Sequence, residues 1–289
     1  MSTTSPRLAN AERAAARRPL QRWSWWPTPA LGATALVHAG GAVALAYDPL
    51  AWPWIGSGLL ANHAVLTAAG LAPRSTLLGP NLARLPAPAA NRGEVALTFD
   101  DGPDPEVTPR VLDLLDAAGM KASFFLMGEQ VARHPALARE IVRRGHGAEN
   151  HSHRHAHGFA FYGVGRARRE IERAQHAIAD ATGSAPIYFR APFGIRSPLL
   201  EPALASLGLR YVSWTRRGFD TVDRHAGRVT ARLTGRLAAG DILLLHDRAV
   251  RRAGEPVLLE VLRALLARLA ERGLKSASLR AACADAPRA

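Results

Sequence analysis

From about Gly93 onward the chain alternates short apolar runs with segments of helical period, and this alternation restricts its fold more than any other feature. Candidate strands, most of them apolar, lie at 94–99, 123–126, 147–150, 187–190, 211–214, 242–245 and 274–278. Between them, 108–118, 131–144, 165–181, 199–207, 229–239 and 257–272 carry amphipathic helix patterns. Strands separated by helices run parallel, because the helix carries the chain back along the outside of the sheet. About seven such units predict an α/β fold, a distorted (β/α) barrel, over residues 93–280. A chain of 289 residues that is 48% apolar has room for one domain of this size plus an appendage.

The appendage precedes the barrel. Residues 1–28 form a basic tail in which Arg7, Arg13, Arg17, Arg18 and Arg22 face a single acid, Glu12, and Trp23, Trp25 and Trp26 follow. Two uncharged apolar stretches come next, 29–47 and 50–72, parted by Asp48-Pro49. Each is about as long as the ~20 helical residues that cross a bilayer core, and Trp52 and Trp54 suit its interface. Residues 29–72 are therefore read as a helical hairpin in the membrane. A soluble hairpin packed on the barrel is the competing reading, since the stretches are rich in Ala and Gly and carry His38, Asn62 and His63. Residues 73–92 read as a Pro-rich linker, and 281–289 as a short tail.

The formal net charge is +13, and all but two of its cations, Lys121 and Lys275, are arginines. The charge is spread along helix faces such as 166–173 instead of forming one aromatic-interleaved stripe, which argues against a nucleic-acid partner. One cysteine, Cys283, excludes an intramolecular disulfide framework and a cysteine-based zinc site.

The informative residues stand at the ends of the expected strands. The first strand runs into Thr98-Phe99-Asp100-Asp101-Gly102-Pro103. Two adjacent carboxylates in a buried place need a compensating cation. The third strand leads into Asn150-His151-Ser152-His153-Arg154-His155-Ala156-His157, where His151/His155 and His153/His157 are both spaced to share a metal if the segment is helical. Spacing alone leaves that choice open. Arg190-Ala191-Pro192-Phe193-Gly194 follows the fourth strand, and Leu243-Leu244-Leu245-His246-Asp247 ends another. Any one of these has a bland reading as a turn, a solvated His-rich loop or a core histidine. Four polar clusters, each on the C-terminal end of a βα strand, are far harder to dismiss, because barrel enzymes build their sites there.

In that order, TFDDGP, NHSHRH, RAPFG and LLLHD resemble motifs of the polysaccharide deacetylases, the NodB-homology family also called carbohydrate esterase family 4. The resemblance covers roughly residues 93–280 and implies a barrel of NodB-homology type. It also implies a metal-dependent hydrolase that removes an N-acyl group from an amino sugar of a polysaccharide or glycoconjugate. One divalent ion is expected on Asp101, His151 and His155, which leaves His153 and His157 as bystanders. Zinc suits the donor types best, with cobalt, nickel or manganese as alternatives. Asp100 is expected as the general base, Arg190 as its counter-charge and orienting partner, and His246 as the acid that protonates the departing amine. The Phe193 amide is expected to donate to the oxyanion, and Leu244 to line the acyl pocket.

One stretch departs from the family pattern. Trp214-Thr215-Arg216-Arg217-Gly218-Phe219-Asp220 carries Arg where an acid is often found, which leaves Asp220 as the candidate to tune His246. Arg216 and Arg217 together suggest an anionic ligand such as a phosphate. If both apolar helices span, the arginines before and after them place the barrel on the cytoplasmic side of the inner membrane. The substrate is then expected to be a lipid-linked amino-sugar precursor, open to deformylation or deacetylation. A periplasmic face would instead suit peptidoglycan or an exported polysaccharide of the bacterial cell envelope. A catalytically silent carbohydrate-binding protein is the reading of a different class. No obligate protein partner is implied.

Overall fold

A computed structural model describes residues 24–248, 251–252 and 255–285. The arginines of the expected basic tail, Glu12 and Trp23, and the last four residues of the expected C-terminal tail lie outside the described residues.

The first two helices form an antiparallel hairpin. Thr28 caps α1 (Pro29–Tyr47) by accepting the Leu31 amide. A 3-10 turn at Pro49–Ala51, with Asp48 accepting the Leu50 amide, leads into α2 (Trp52–Leu71). Thr34 donates to Asn62 across the hairpin at 3.1 Å, and His38 meets His63 at 3.2 Å. Beyond those pairs and Ser57 and Thr67, whose hydroxyls bond their own helix backbone, the two helices have no polar face, and α1 buries none of its residues. Such a helix has no water-facing side, in contrast to the amphipathic helices of a soluble layer. Among the described residues, α1 alone passes a length-and-hydropathy test for a membrane span. The 20 residues of α2 are long enough, but its Gly, Ser, Asn and His residues dilute it. Only the last turns of α2 are packed, where Leu66 and Ala69 meet Leu78. The Gly70 carbonyl there accepts the Arg196 amide at 3.0 Å.

The segment expected as a linker is packed along much of its length. Leu78, Leu85 and Ala89 are buried, and residues 87–91 form a short helix, α3 (Ala87–Asn91). Prolines permit this because α3 begins at Ala87-Pro88, where a missing amide costs nothing.

The barrel is a sheet of parallel strands. In chain order they are β1 (Glu94–Asp100), β2 (Ala122–Leu126), β3 (Gly147–Asn150), β4 (Tyr188–Phe189), β5 (Arg210–Tyr211), β6 (Arg216–Arg217) and β7 (Ile242–His246). Their spatial order is β5-β4-β3-β2-β1-β7-β6, and a further strand at Lys275–Ser276 pairs with the start of β1. This is the expected distorted barrel of seven strands. At the open seam between the edge strands β5 and β6, residues 82–85 link the end of β5 to the start of β7. Leu82 pairs with Val212 just past β5, while Arg84 bridges to Asp241 just before β7 and ion-pairs with it at 2.9 Å. The expected helix over 131–144 is two helices, Gly128–Arg133 and Pro135–Arg143, because Pro135 cannot continue the first.

Alternation along the strands decides which side chains enter the barrel. On β1, Val95, Leu97 and Phe99 pack outward against helices, and Ala96 packs inward. Thr98 and Asp100 share the inward parity of Ala96. On β7, Leu243 and Leu245 face out, and Leu244 faces in with Ile242. Asp100 lies directly across from His246 in the ladder, so both end their strands on the interior side.

Candidate active site

The C-terminal ends of β1, β3, β4 and β7 converge on one small cleft of about 100 Å³. It is lined by Asp100, Asp101, His151, His155, Phe193, Trp214, Arg217, Leu244, His246 and Arg248, among others.

Below the cleft Arg190 fills the barrel. It is fully buried, and its Nη1 donates to Asp100 Oδ1 at 2.7 Å and to Thr98 Oγ1 at 2.9 Å. Its Nη2 donates to the Ser213 carbonyl, and the guanidinium lies 4.1 Å from the centre of the Phe125 ring. This is the compensating cation that the adjacent aspartates require, and it is satisfied on every side. Removing Arg190 would leave Asp100 as an uncompensated buried charge, at a cost of about 3–5 kcal/mol.

Asp101, His151 and His155 form the second cluster, each offering a donor atom within 4.8 Å of the others. Asp101 Oδ1 lies 3.5 Å from His151 Nε2 and 3.4 Å from His155 Nε2, and it is buried with no hydrogen-bond partner. His151 Nδ1 meets the Arg190 carbonyl at 2.9 Å, which leaves Nε2 turned to Asp101. A buried, unpartnered carboxylate oxygen beside two imidazole nitrogens is the donor set a divalent ion takes, and these residues fit one. Burial works to raise the Asp101 carboxyl. The close approach of His151, with His246 and His155 nearby, outweighs that and holds it below the carboxylate range. Burial, reinforced by His151, pulls His155 down to about 4, so it is a neutral imidazole at physiological pH.

The histidine tract is not helical, so the conditional helical spacing does not apply. The chain instead turns through Ser152 at φ 67° and His155 at φ 51°, which swings His155 back beside His151. Asp101 and Phe193 also have positive φ, at 74° and 59°. Non-glycine residues seldom adopt this region, and such strain gathers where surrounding structure holds it for function. The other two histidines of the tract stand apart from the cluster. His157 stacks on Phe193 at 5.3 Å, and His153 Nδ1 is buried against Gly128.

His246 borders the same cleft. Its Nδ1 meets Asp220 Oδ1 at 2.9 Å, and its amide donates to Asp220 Oδ2 at 2.7 Å. Burial pulls His246 down, but the hydrogen bond and charge of Asp220, with Asp100 and Asp101 beyond, outweigh it and raise its pKa above the ordinary value. The Phe193 amide makes no hydrogen bond among the described residues, while the flanking Gly194 and Ile195 amides are taken up by Ala191 and Pro192. Leu244 lies in the cleft wall.

Arg216 and Arg217, expected as a pair, are separated by strand alternation. Arg216 turns away and donates to Asp241 Oδ2 at 2.6 Å, so it is a strut of the barrel and no part of the cleft. Arg217 enters the cleft. Two residues escaped the reading of the sequence. Arg248, at the rim, reaches Asp101 Oδ2 at 3.4 Å, and no pattern in the sequence marks it. Asp247 is fully buried, its Oδ2 accepts from Thr108 at 2.6 Å, and burial raises it to about 8. It also occupies the space a side chain at Gly102 would need, so the LLLHD and DDGP segments lock together.

Comparison with known proteins gives the family. A family model described as polysaccharide deacetylase matches residues 87–212. A chitooligosaccharide deacetylase of Bradyrhizobium sp. is 36% identical over 154 residues, 53% of this chain and 70% of that protein. The chain belongs to the polysaccharide deacetylase family. A family 4 carbohydrate esterase from Streptomyces lividans, solved in complex with acetate, superposes with a TM-score of 0.58 at 34% identity. That likeness covers 64% of this chain and 91% of the esterase. A peptidoglycan-N-acetylglucosamine deacetylase of Listeria monocytogenes is 33% identical over 159 residues, and the chain spans only 33% of its length. The match to the polysaccharide deacetylase model ends before Trp214, so the placing of Asp220 and His246 rests on the geometry described above.

Proposed function

We propose that the chain hydrolyses the N-acetyl amide of an amino-sugar residue, with Asp101, His151 and His155 holding one divalent ion, zinc by donor type. The observation that carries this is the pairing of Asp100 with Arg190 on one side of the cleft and Asp220 with His246 on the other. Two titratable groups with opposite partners divide the work of base and acid. Asp100, oriented by Arg190, takes a proton from the attacking water. The free Phe193 amide donates to the carbonyl oxygen as it becomes anionic. His246, with Asp220 on its Nδ1, presents Nε2 to protonate the leaving nitrogen. Leu244 gives the acyl methyl an apolar wall. Asp101, His151 and His155 would hold a divalent ion, which would supply Lewis-acid polarisation to the scissile carbonyl.

The exposed apolar hairpin supports a membrane tether. Because its helices are antiparallel, both ends of the hairpin lie on one side. The arginines of the first 22 residues favour the cytoplasmic side for that end, and with it a lipid-linked amino-sugar substrate, deformylated or deacetylated. A periplasmic orientation would direct the same chemistry to peptidoglycan, the polymer named for the Listeria relative.

The test is acetate release from N-acetylated oligosaccharides and lipid-linked amino sugars by the purified full chain, before and after chelation. Turnover that is lost on chelation and restored by zinc is expected. Asp100→Asn should lower kcat by about 10²- to 10⁴-fold while zinc content is retained. Undiminished turnover in that variant would refute the assignment. Zinc binding without turnover of any acylated sugar would instead favour a silent binding protein.

A further inference from the structure

Arg217 lines the cleft without a counter-charge. Of the two carboxylates that line it, Asp100 is paired with Arg190, and Asp101 belongs to the metal-ligand set. Arg217 makes no ion pair among the described residues, and its Nε is buried with no hydrogen-bond partner. Its guanidinium lies 5.5 Å from the centre of the Trp214 ring and 4.9 Å from that of Phe219. Aromatic contacts of this kind fix the plane of a guanidinium and leave its N–H edge free, the geometry that takes an oxyanion in bidentate fashion. Arg248 adds a second guanidinium at the mouth, more than half exposed and held to Asp101 Oδ2 only by a long 3.4 Å contact through one nitrogen, Nη1. The cleft is far smaller than the ~300–1,000 Å³ of ordinary ligand pockets, so it accepts little more than the acylamido end of a sugar. Other substituents of that sugar then lie between Arg217 in the cleft wall and Arg248 at the mouth.

We infer that Arg217, assisted by Arg248, binds a phosphate group carried by the acylated amino sugar. This rests on the deacylase reading and narrows its substrate class to phosphorylated amino sugars. A neutral glycan offers Arg217 no partner, whereas a phosphate ester brings up to two charges and three acceptor oxygens to the two guanidiniums.

The experiment uses the full chain in detergent, stripped of metal by chelation so that no ion competes for phosphate. Calorimetric titration compares N-acetylglucosamine 1-phosphate with N-acetylglucosamine. The phosphate ester is expected to bind at least about tenfold more tightly, and Arg217→Gln to abolish that advantage. Arg217→Lys should recover part of it, and Arg216→Gln should leave the preference intact because Arg216 serves Asp241. With zinc restored, Arg217→Gln should raise KM for a phosphorylated substrate more than for a neutral one. Equal affinity for the two sugars, binding of neither, or an advantage that survives Arg217→Gln would each overturn the inference. Failure of the deacylase reading looks different, because zinc-loaded native protein would then release acetate from neither sugar whatever its binding preference.

Discussion

Replacing Asp220 by Asn keeps a hydrogen-bonding group beside His246 Nδ1 but removes the charge that raises its pKa. A general acid works while protonated, so activity falls as pH rises through that pKa. The alkaline limb of the pH–rate profile of Asp220→Asn should therefore move to lower pH. An unmoved limb would show that another group is the acid. A second histidine gives a signal in stability. His146 is buried against Phe124 and accepts the Ala122 amide on Nδ1, a role open only to the neutral ring. Burial, with Lys121 adding to it, lowers its pKa to about 4 against an ordinary 6.5. Below 6.5 the unfolded chain binds a proton that the folded one refuses. Stability is thus fully present above pH 6.5 and drains away as pH falls toward 4, by an amount on the order of 3 kcal/mol. His146→Asn, which keeps an acceptor but cannot titrate, should flatten this part of the stability curve in urea denaturation at stepped pH.

Among elements, the loop after β4 shows most clearly what local geometry adds. Gly194 has φ 72°, and a β-carbon there would collide with the Trp214 indole. Gly194→Ala should cost about 1 kcal/mol for the left-handed backbone alone. By pushing Trp214 aside it should also lower kcat far more than it lowers the melting temperature. Asp100, Leu244 and His246 were legible from the motifs at the strand ends, and the structure turns all three inward by strand parity. Asp101, His151 and His155 came from the motif order, but the positive φ values that bring them together leave no mark in residue type, since none of the three is glycine. The two arginines of β6 could not be told apart because a strand of two residues has no period to read. Its register settles the matter, with Arg217 beside inward-facing Leu244 and Arg216 beside outward-facing Leu243. The segment at 82–85 was misread as a spacer for a related reason. Prolines report where helices and ladders cannot run, and they say nothing about burial of the leucines between them.

Across the whole molecule, the hairpin is the part whose topology the sequence leaves most open. With both helices in the bilayer, the chain ends on the side where it begins. Alkaline phosphatase fused after Ala289 should be inactive and a fluorescent protein at the same point should be bright. The opposite pair of results would move the cleft to the periplasm and strengthen peptidoglycan as substrate. If the hairpin sits in the bilayer, its join to the barrel has a kinetic consequence. The last turn of α2 is hydrogen-bonded, Gly70 to Arg196, only two residues beyond the Gly194 that lines the cleft. With α2 in the bilayer, no free spacer separates that loop from the anchor, so the cleft works close to the lipid surface. Encounter is then governed by how many substrate molecules share each unit of lipid area, and bulk concentration drops out. Spreading a fixed amount of lipid-linked substrate through more lipid would slow such an enzyme, although nothing in the solution had been diluted.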